Sequence, residues 1–197
     1  MNRFLALAAL VVIAVAGLSG SPAHAAIIDY YTTMSGPNEA PPNASLGTGS
    51  AHVTYDSFLH TMRVEANFTG LSGTTTASHI HAATAVAGTG TAGVATQTPS
   101  FSGFPLGVTS GAMDTTFDLT LNSSWNSSYI TNNGGTAASA EAAFFNAMNA
   151  GKAYFNIHTT VVPGGEIRGF MVIPEPGALT LLGAGAVLAM MRRRRAA

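Results

Sequence analysis

Between residues 60 and 69, apolar and polar side chains alternate without a break. Met62, Val64, Ala66 and Phe68 take one side, and Thr61, Arg63, Glu65, Asn67 and Thr69 take the other. Successive side chains of a strand point to opposite faces, so a period of two predicts a strand with one buried face and one wet face. The same period occurs just upstream, where Ala51, Val53 and Tyr55 alternate with His52, Thr54 and Asp56. Asp56-Ser57 separates the two runs, and both are turn formers, so a hairpin is expected. Further strands are predicted at 27–34, at 116–121, at 153–159 and at 167–173, the last two joined through Pro163-Gly164-Gly165. One segment breaks the pattern. Residues 139–150 are Ala-rich, with Phe144, Phe145 and Met148 grouped on one side. Ser139 as N-cap, Glu141 in the first turn and Gly151 as the stop predict a short helix packed on the sheets. Residues 82–111 are uncharged and rich in Gly, Ala, Thr and Ser, which suits a long loop or a pair of weak strands. The expected class is mainly β, an antiparallel sandwich with one short helix.

Both ends of the chain stand apart from this pattern. Arg3 precedes an apolar run from Phe4 to Leu18, and Ala23-His24-Ala25 closes it. A charged start, a short apolar middle and a small-x-small site are the parts of a secretory signal peptide, with cleavage by signal peptidase expected after Ala25. At the other end Pro174-Glu175-Pro176 precedes an apolar stretch at 177–191, followed by Arg192, Arg193, Arg194 and Arg195. A run this short, interrupted by Gly183 and Gly185, is marginal as a span, since ~20 apolar residues are needed. The arginines hold their side in the cytoplasm. A permanent membrane anchor is the alternative for each end. The C-terminal triad of features resembles the PEP-CTERM sorting signal. That resemblance implies transient seating in the inner membrane of a Gram-negative bacterium, recognition by an exosortase, and delivery to the cell surface or an extracellular polysaccharide matrix. The expected organisation is a signal peptide at 1–25, one domain at 26–173 and a sorting segment at 174–197.

Removing both ends changes the charge. The basic residues left are Arg63, Lys152 and Arg168, against eight acids (Asp29, Glu39, Asp56, Glu65, Asp114, Asp118, Glu141 and Glu166), a net of −5 rather than the −1 of the whole chain. An acidic domain with three scattered cations has no footprint for nucleic acid. With no cysteine in the chain, the fold must hold by packing, with or without a metal.

Four separated motifs remain: Gly36-Pro37-Asn38-Glu39-Ala40-Pro41-Pro42; Ser78-His79-Ile80-His81-Ala82; Tyr154-Phe155-Asn156-Ile157-His158-Thr159; and Pro163-Gly164-Gly165-Glu166-Ile167-Arg168-Gly169. Their order and wording resemble the CHRD domain, named from chordin, over about 34–171. The departures are Ala82-Ala83, where the family usually has Gly-Pro, and a loosely matched middle. The resemblance implies an extracellular, immunoglobulin-like sandwich similar to copper/zinc superoxide dismutase, and it supplies no settled activity.

His79 and His81 are two apart, so on a strand they share a face at roughly 7 Å. His158 lies in a separate predicted strand and supplies a third imidazole. Three neutral imidazoles suit zinc or copper, with affinity expected to fall below about pH 6.5. The alternative is a hydrogen-bonded polar cluster. Glu166 and Arg168 are expected to be structural, paired with each other or bonded to neighbouring loops. His52 and His60, at polar strand positions, are expected to be solvated. No nucleophile elbow, phosphate loop or close carboxylate pair is present, and no catalytic residue is assigned. The functional expectation is a binding or structural module, with exopolysaccharide or surface proteins as partners. A metal-dependent extracellular enzyme is the alternative.

Overall fold

The computed structural model describes residues 27–174. Ala25, Glu175 and Pro176, the apolar stretch at 177–191 and the arginines beyond it lie outside these residues. The strands are β1 (Ile27–Ser35), β2 (Thr48–Asp56), β3 (Thr61–Thr69), β4 (Thr75–His81), β5 (Gly111–Asp118), β6 (Tyr154–Thr159) and β7 (Ile167–Phe170), with helices α1 (Ser127–Asn132) and α2 (Ala137–Asn149) between β5 and β6. All seven strands join one antiparallel sheet in the order β4-β6-β7-β1-β2-β3-β5. The fold is mainly β, a curled and sandwich-like sheet. Phe101, from the long β4–β5 connection, packs on Phe117 of β5 and on Phe155 of β6, so strands far apart in the sheet order share one core.

The alternation places the core as expected. Met62, Val64, Ala66 and Phe68 are buried, as are Ala51 and Val53. The β2–β3 hairpin turns through 57–60, where Asp56 Oδ1 accepts the N–H groups of Phe58 and Leu59. The first and last strands lie side by side in the middle of the sheet. Ser35 pairs with Arg168, and beyond β7 Tyr31 and Val172 exchange both backbone bonds. Gly169 permits this approach, because a Cβ there would collide with Thr32 Oγ1 and the Thr33 carbonyl.

Three expectations need correction. The strand expected at 116–121 ends at Asp118, because the chain turns through Leu119 and Thr120, with the Leu121 N–H bonded back to the Asp118 carbonyl. The helix starts earlier than Ser139. Thr136 is the N-cap and Ser139 the N3 residue of a capping box, each side chain serving the other's backbone N–H. Glu141 is buried and accepts bonds from Tyr55 Oη at 2.8 Å and His60 Nδ1 at 2.9 Å. Helix α1 was not expected. Asn126 caps it, and it buries Tyr129 and Ile130.

Candidate metal centre

Strand β4 is an edge strand, and its neighbour β6 pairs with it so that His79 faces Asn156, Ala77 faces His158 and His81 faces Tyr154. Ser78 and Ile80 point into the core, leaving His79 and His81 on the opposite face. His158 occupies the same face of β6. Two strands therefore present three imidazoles to one point. One ring nitrogen from each lies within 4.8 Å of the other two. His79 is buried, and His81 and His158 are half-buried.

The rings are fixed by backbone carbonyls. His79 Nδ1 bonds to the Pro99 carbonyl at 3.0 Å, His81 Nδ1 to Ala92 at 2.8 Å, and His158 Nδ1 to Pro163 at 2.8 Å. A carbonyl can only accept, so each Nδ1 carries the proton and each neutral ring turns a bare Nε2 lone pair inward. His79 Nε2 and His158 Nε2 are 2.9 Å apart, and His81 Nε2 is buried with no hydrogen-bond partner. Lone pairs at that distance repel unless a cation sits between them. Protonating a ring would supply one, but burial opposes it. Burial, with repulsion from the other two rings, pushes His79 down to about 3. Burial pushes His81 down to about 4 and also lowers His158. Neutral imidazoles held in the Nε2-ligating tautomer by carbonyls are what a zinc or copper ion requires.

The same face continues away from the histidines. The Tyr154 ring stacks on His81 at 4.6 Å, and the Arg168 guanidinium lies 4.7 Å over the centroid of Tyr154. Arg168 donates to the carbonyls of Asn38 and Gly90 and sits 3.8 Å from Glu39. Glu39 also accepts from Asn156 Nδ2 at 3.0 Å. Burial raises Glu39 to about 7, against the opposing pull of Arg168.

Glu166 and Arg168 do not pair with each other. Arg168 turns to Glu39, and Glu166 binds neighbouring loops. Glu166 accepts from Ser45 Oγ at 2.6 Å, Thr159 Oγ1 at 2.6 Å, Ser72 N–H at 2.6 Å and Gly73 N–H at 3.3 Å. Burial would raise this carboxyl, but the donors outweigh it and hold it below its ordinary value. His52 and His60 are not free in solvent. His52 bridges Asp29 at 2.7 Å and Glu65 at 3.0 Å while stacking on Tyr31, and His60 serves Glu141.

The sequence motifs and the curled sheet now meet in one comparison. The profile of the CHRD domain matches residues 30–171, most of the chain. The chain belongs to the CHRD domain family. No curated protein and no solved structure matches it. Within this CHRD domain, sequence reasoning does not find Glu39 as the partner of Arg168, or Asn156 as a donor to Glu39. The signal was present, because Glu39 and Asn156 each sit in a family motif. What sequence alone could not show is that the loop at 36–42 folds back onto β7.

Proposed function

We propose that this CHRD domain is an exported surface- or matrix-associated binding module carrying a three-histidine zinc or copper centre on β4 and β6. One observation carries the metal reading: three bare Nε2 atoms converge, while each Nδ1 is committed to a backbone carbonyl. Three protein ligands leave a coordination position for water or for a donor from a partner. Depressed histidine values mean that protons compete for the ligands well below pH 6.5, so affinity persists into mild acid. The export reading rests on the sequence ends: signal peptidase cleaves after Ala25, the segment at 177–191 seats in the inner membrane, and an exosortase removes the tail near Pro174-Glu175-Pro176.

The test of the metal reading is titration of the metal-free protein with zinc and with copper, followed by dialysis, metal analysis and thermal melting. One retained ion per chain and a higher melting temperature are expected; no retained ion of either kind overturns the centre. For export, N-terminal sequencing of the host's surface protein is expected to begin at Ala26, with an intact mass lacking Arg192 to Arg195. A metal-dependent extracellular enzyme is the second reading, favoured by the open coordination position. Hydrolytic or redox turnover that appears on loading and vanishes in His81→Ala would support it.

A further inference from the structure

One end of the sheet carries an unusual concentration of exposed large apolar side chains. Phe58 and Leu59, at the tip of the β2–β3 hairpin, are 73% and 62% exposed; Ile27, at the start of β1, is 66% exposed; and Leu121, just beyond β5, is 52% exposed. The register places all four at the same end. Ile27 pairs with Asp56, Asp56 with Thr61, and Thr61 with Asp118. The patch thus runs across four adjacent strands, a width of about 15 Å.

The chain leaves the fold toward this end. Ser35 pairs with Arg168 and Tyr31 with Val172, antiparallel, so at Val172 the chain is heading toward the Ile27 end of β1. The apolar stretch at 177–191 follows within a few residues in the sequence. We propose that the apolar end formed by Ile27, Phe58, Leu59 and Leu121 rests in the interface of the bilayer that holds residues 177–191. The proposal depends on the membrane reading of that stretch. Exposed apolar groups beside a short span lower their free energy by leaving water for the headgroup boundary. The attraction is hydrophobic rather than electrostatic. The acids at this end, Asp56 and Asp118, are engaged in capping their own turns, and the domain as a whole is acidic. A zwitterionic surface therefore suits it better than an anionic one. Seating the domain this way places the opposite end, with Leu46 and Val161, about 30 Å from the membrane, since β1, β2 and β3 each span that length.

The chain has no cysteine, so single labels can be placed without background. Full-length protein carrying an environment-sensitive fluorophore at Phe58→Cys, Leu46→Cys, Val161→Cys or Leu188→Cys is reconstituted into phosphatidylcholine vesicles containing brominated acyl chains as quencher. Each labelled site is an exposed residue or lies outside the folded domain, so folding is preserved, and circular dichroism checks it. The expected result is loss of fluorescence at 58 and 188, with 46 and 161 as bright as in unbrominated vesicles. Quenching at 188 with none at 58 overturns the seated end and leaves the membrane reading intact. No quenching at 188 removes the membrane reading, and the proposal falls with it.

Discussion

Two buried polar clusters meet at β6, one through Thr159 and one through His158, and they solve the same problem in opposite ways. Glu166 has lost its water but gained donors from two hydroxyls and two backbone N–H groups, which use both carboxylate oxygens. It is complete, and its charge is stabilised. The histidine cluster has satisfied only its outer nitrogens. Its inner nitrogens, those of His79, His81 and His158, meet one another, and none offers a proton. A buried polar group without a partner costs about 1–3 kcal/mol, so folds rarely leave three converging on one point. The difference is one of saturation: the saturated cluster holds loops to the sheet, and the unsaturated one is the place proposed above for an ion.

That contrast can be broken by experiment. The largest effect is expected from Glu166→Ala, which strands the donors of Ser45, Ser72, Gly73 and Thr159. A loss of about 3–4 kcal/mol in denaturant unfolding is expected, with no change in metal affinity if the protein folds. Weakened metal binding in folded Glu166→Ala would mean that the two clusters are one unit. Next comes His79→Ala. Even second-layer partners of a metal are worth about 10–100-fold in affinity, so removing a ligand is expected to cost more than about 100-fold by competitive titration. Stability of the metal-free protein is expected to hold or rise, since converging lone pairs are relieved. A large loss of metal-free stability would make the cluster structural, like that of Glu166.

The smallest effect concerns pH. His79 and His81 stay neutral in the fold while the unfolded chain takes up protons near pH 6.5, so their stabilisation is present above that value and is lost on acidification. Each costs about 0.8 kcal/mol between pH 8 and pH 6. Glu39 acts in the opposite direction. Its folded value is raised to about 7, so its contribution is present below its ordinary value and is lost as pH rises through 7. Glu39 therefore offsets much of the histidine loss in the metal-free wild type over this range. Glu39→Gln removes the compensation and should reveal a fall of about 1.5 kcal/mol. A flat Glu39→Gln profile would show that the folded histidines do take up protons.

Much of this was legible in the sequence, for identifiable reasons. The pattern Met62, Val64, Ala66, Phe68 specifies both strand and buried face, because a sheet has only two sides. The spacing of His79 and His81 puts both on one face for the same reason. That His158 joins them is a matter of pairing between strands whose histidines lie 79 residues apart, which periodicity does not encode. The carbonyls of Pro99 and Ala92 come from a Gly- and Thr-rich loop with no periodic signal at all, yet they set two of the three tautomers. Helix α1 was hidden because Ser, Thr and Asn dominate it, and these residues favour turns as readily as helix starts. Glu166 and Arg168 suggested each other only by proximity in sequence. In the fold most of their partners come from loops 78 to 130 residues upstream.

The pairing of the first and last strands carries a mechanical consequence. A tether pulling at Pro174 draws β7 along its own length. The backbone bonds to β6 and to β1 lie across that direction, so they share the load together instead of parting one after another, as in peeling. With β7 held between two neighbours, the attachment point resists shear through both flanks at once. Force arriving through the chain's exit therefore meets a strand held on both sides, while edge strand β4, with its imidazoles, lies two strands away from the line of pull.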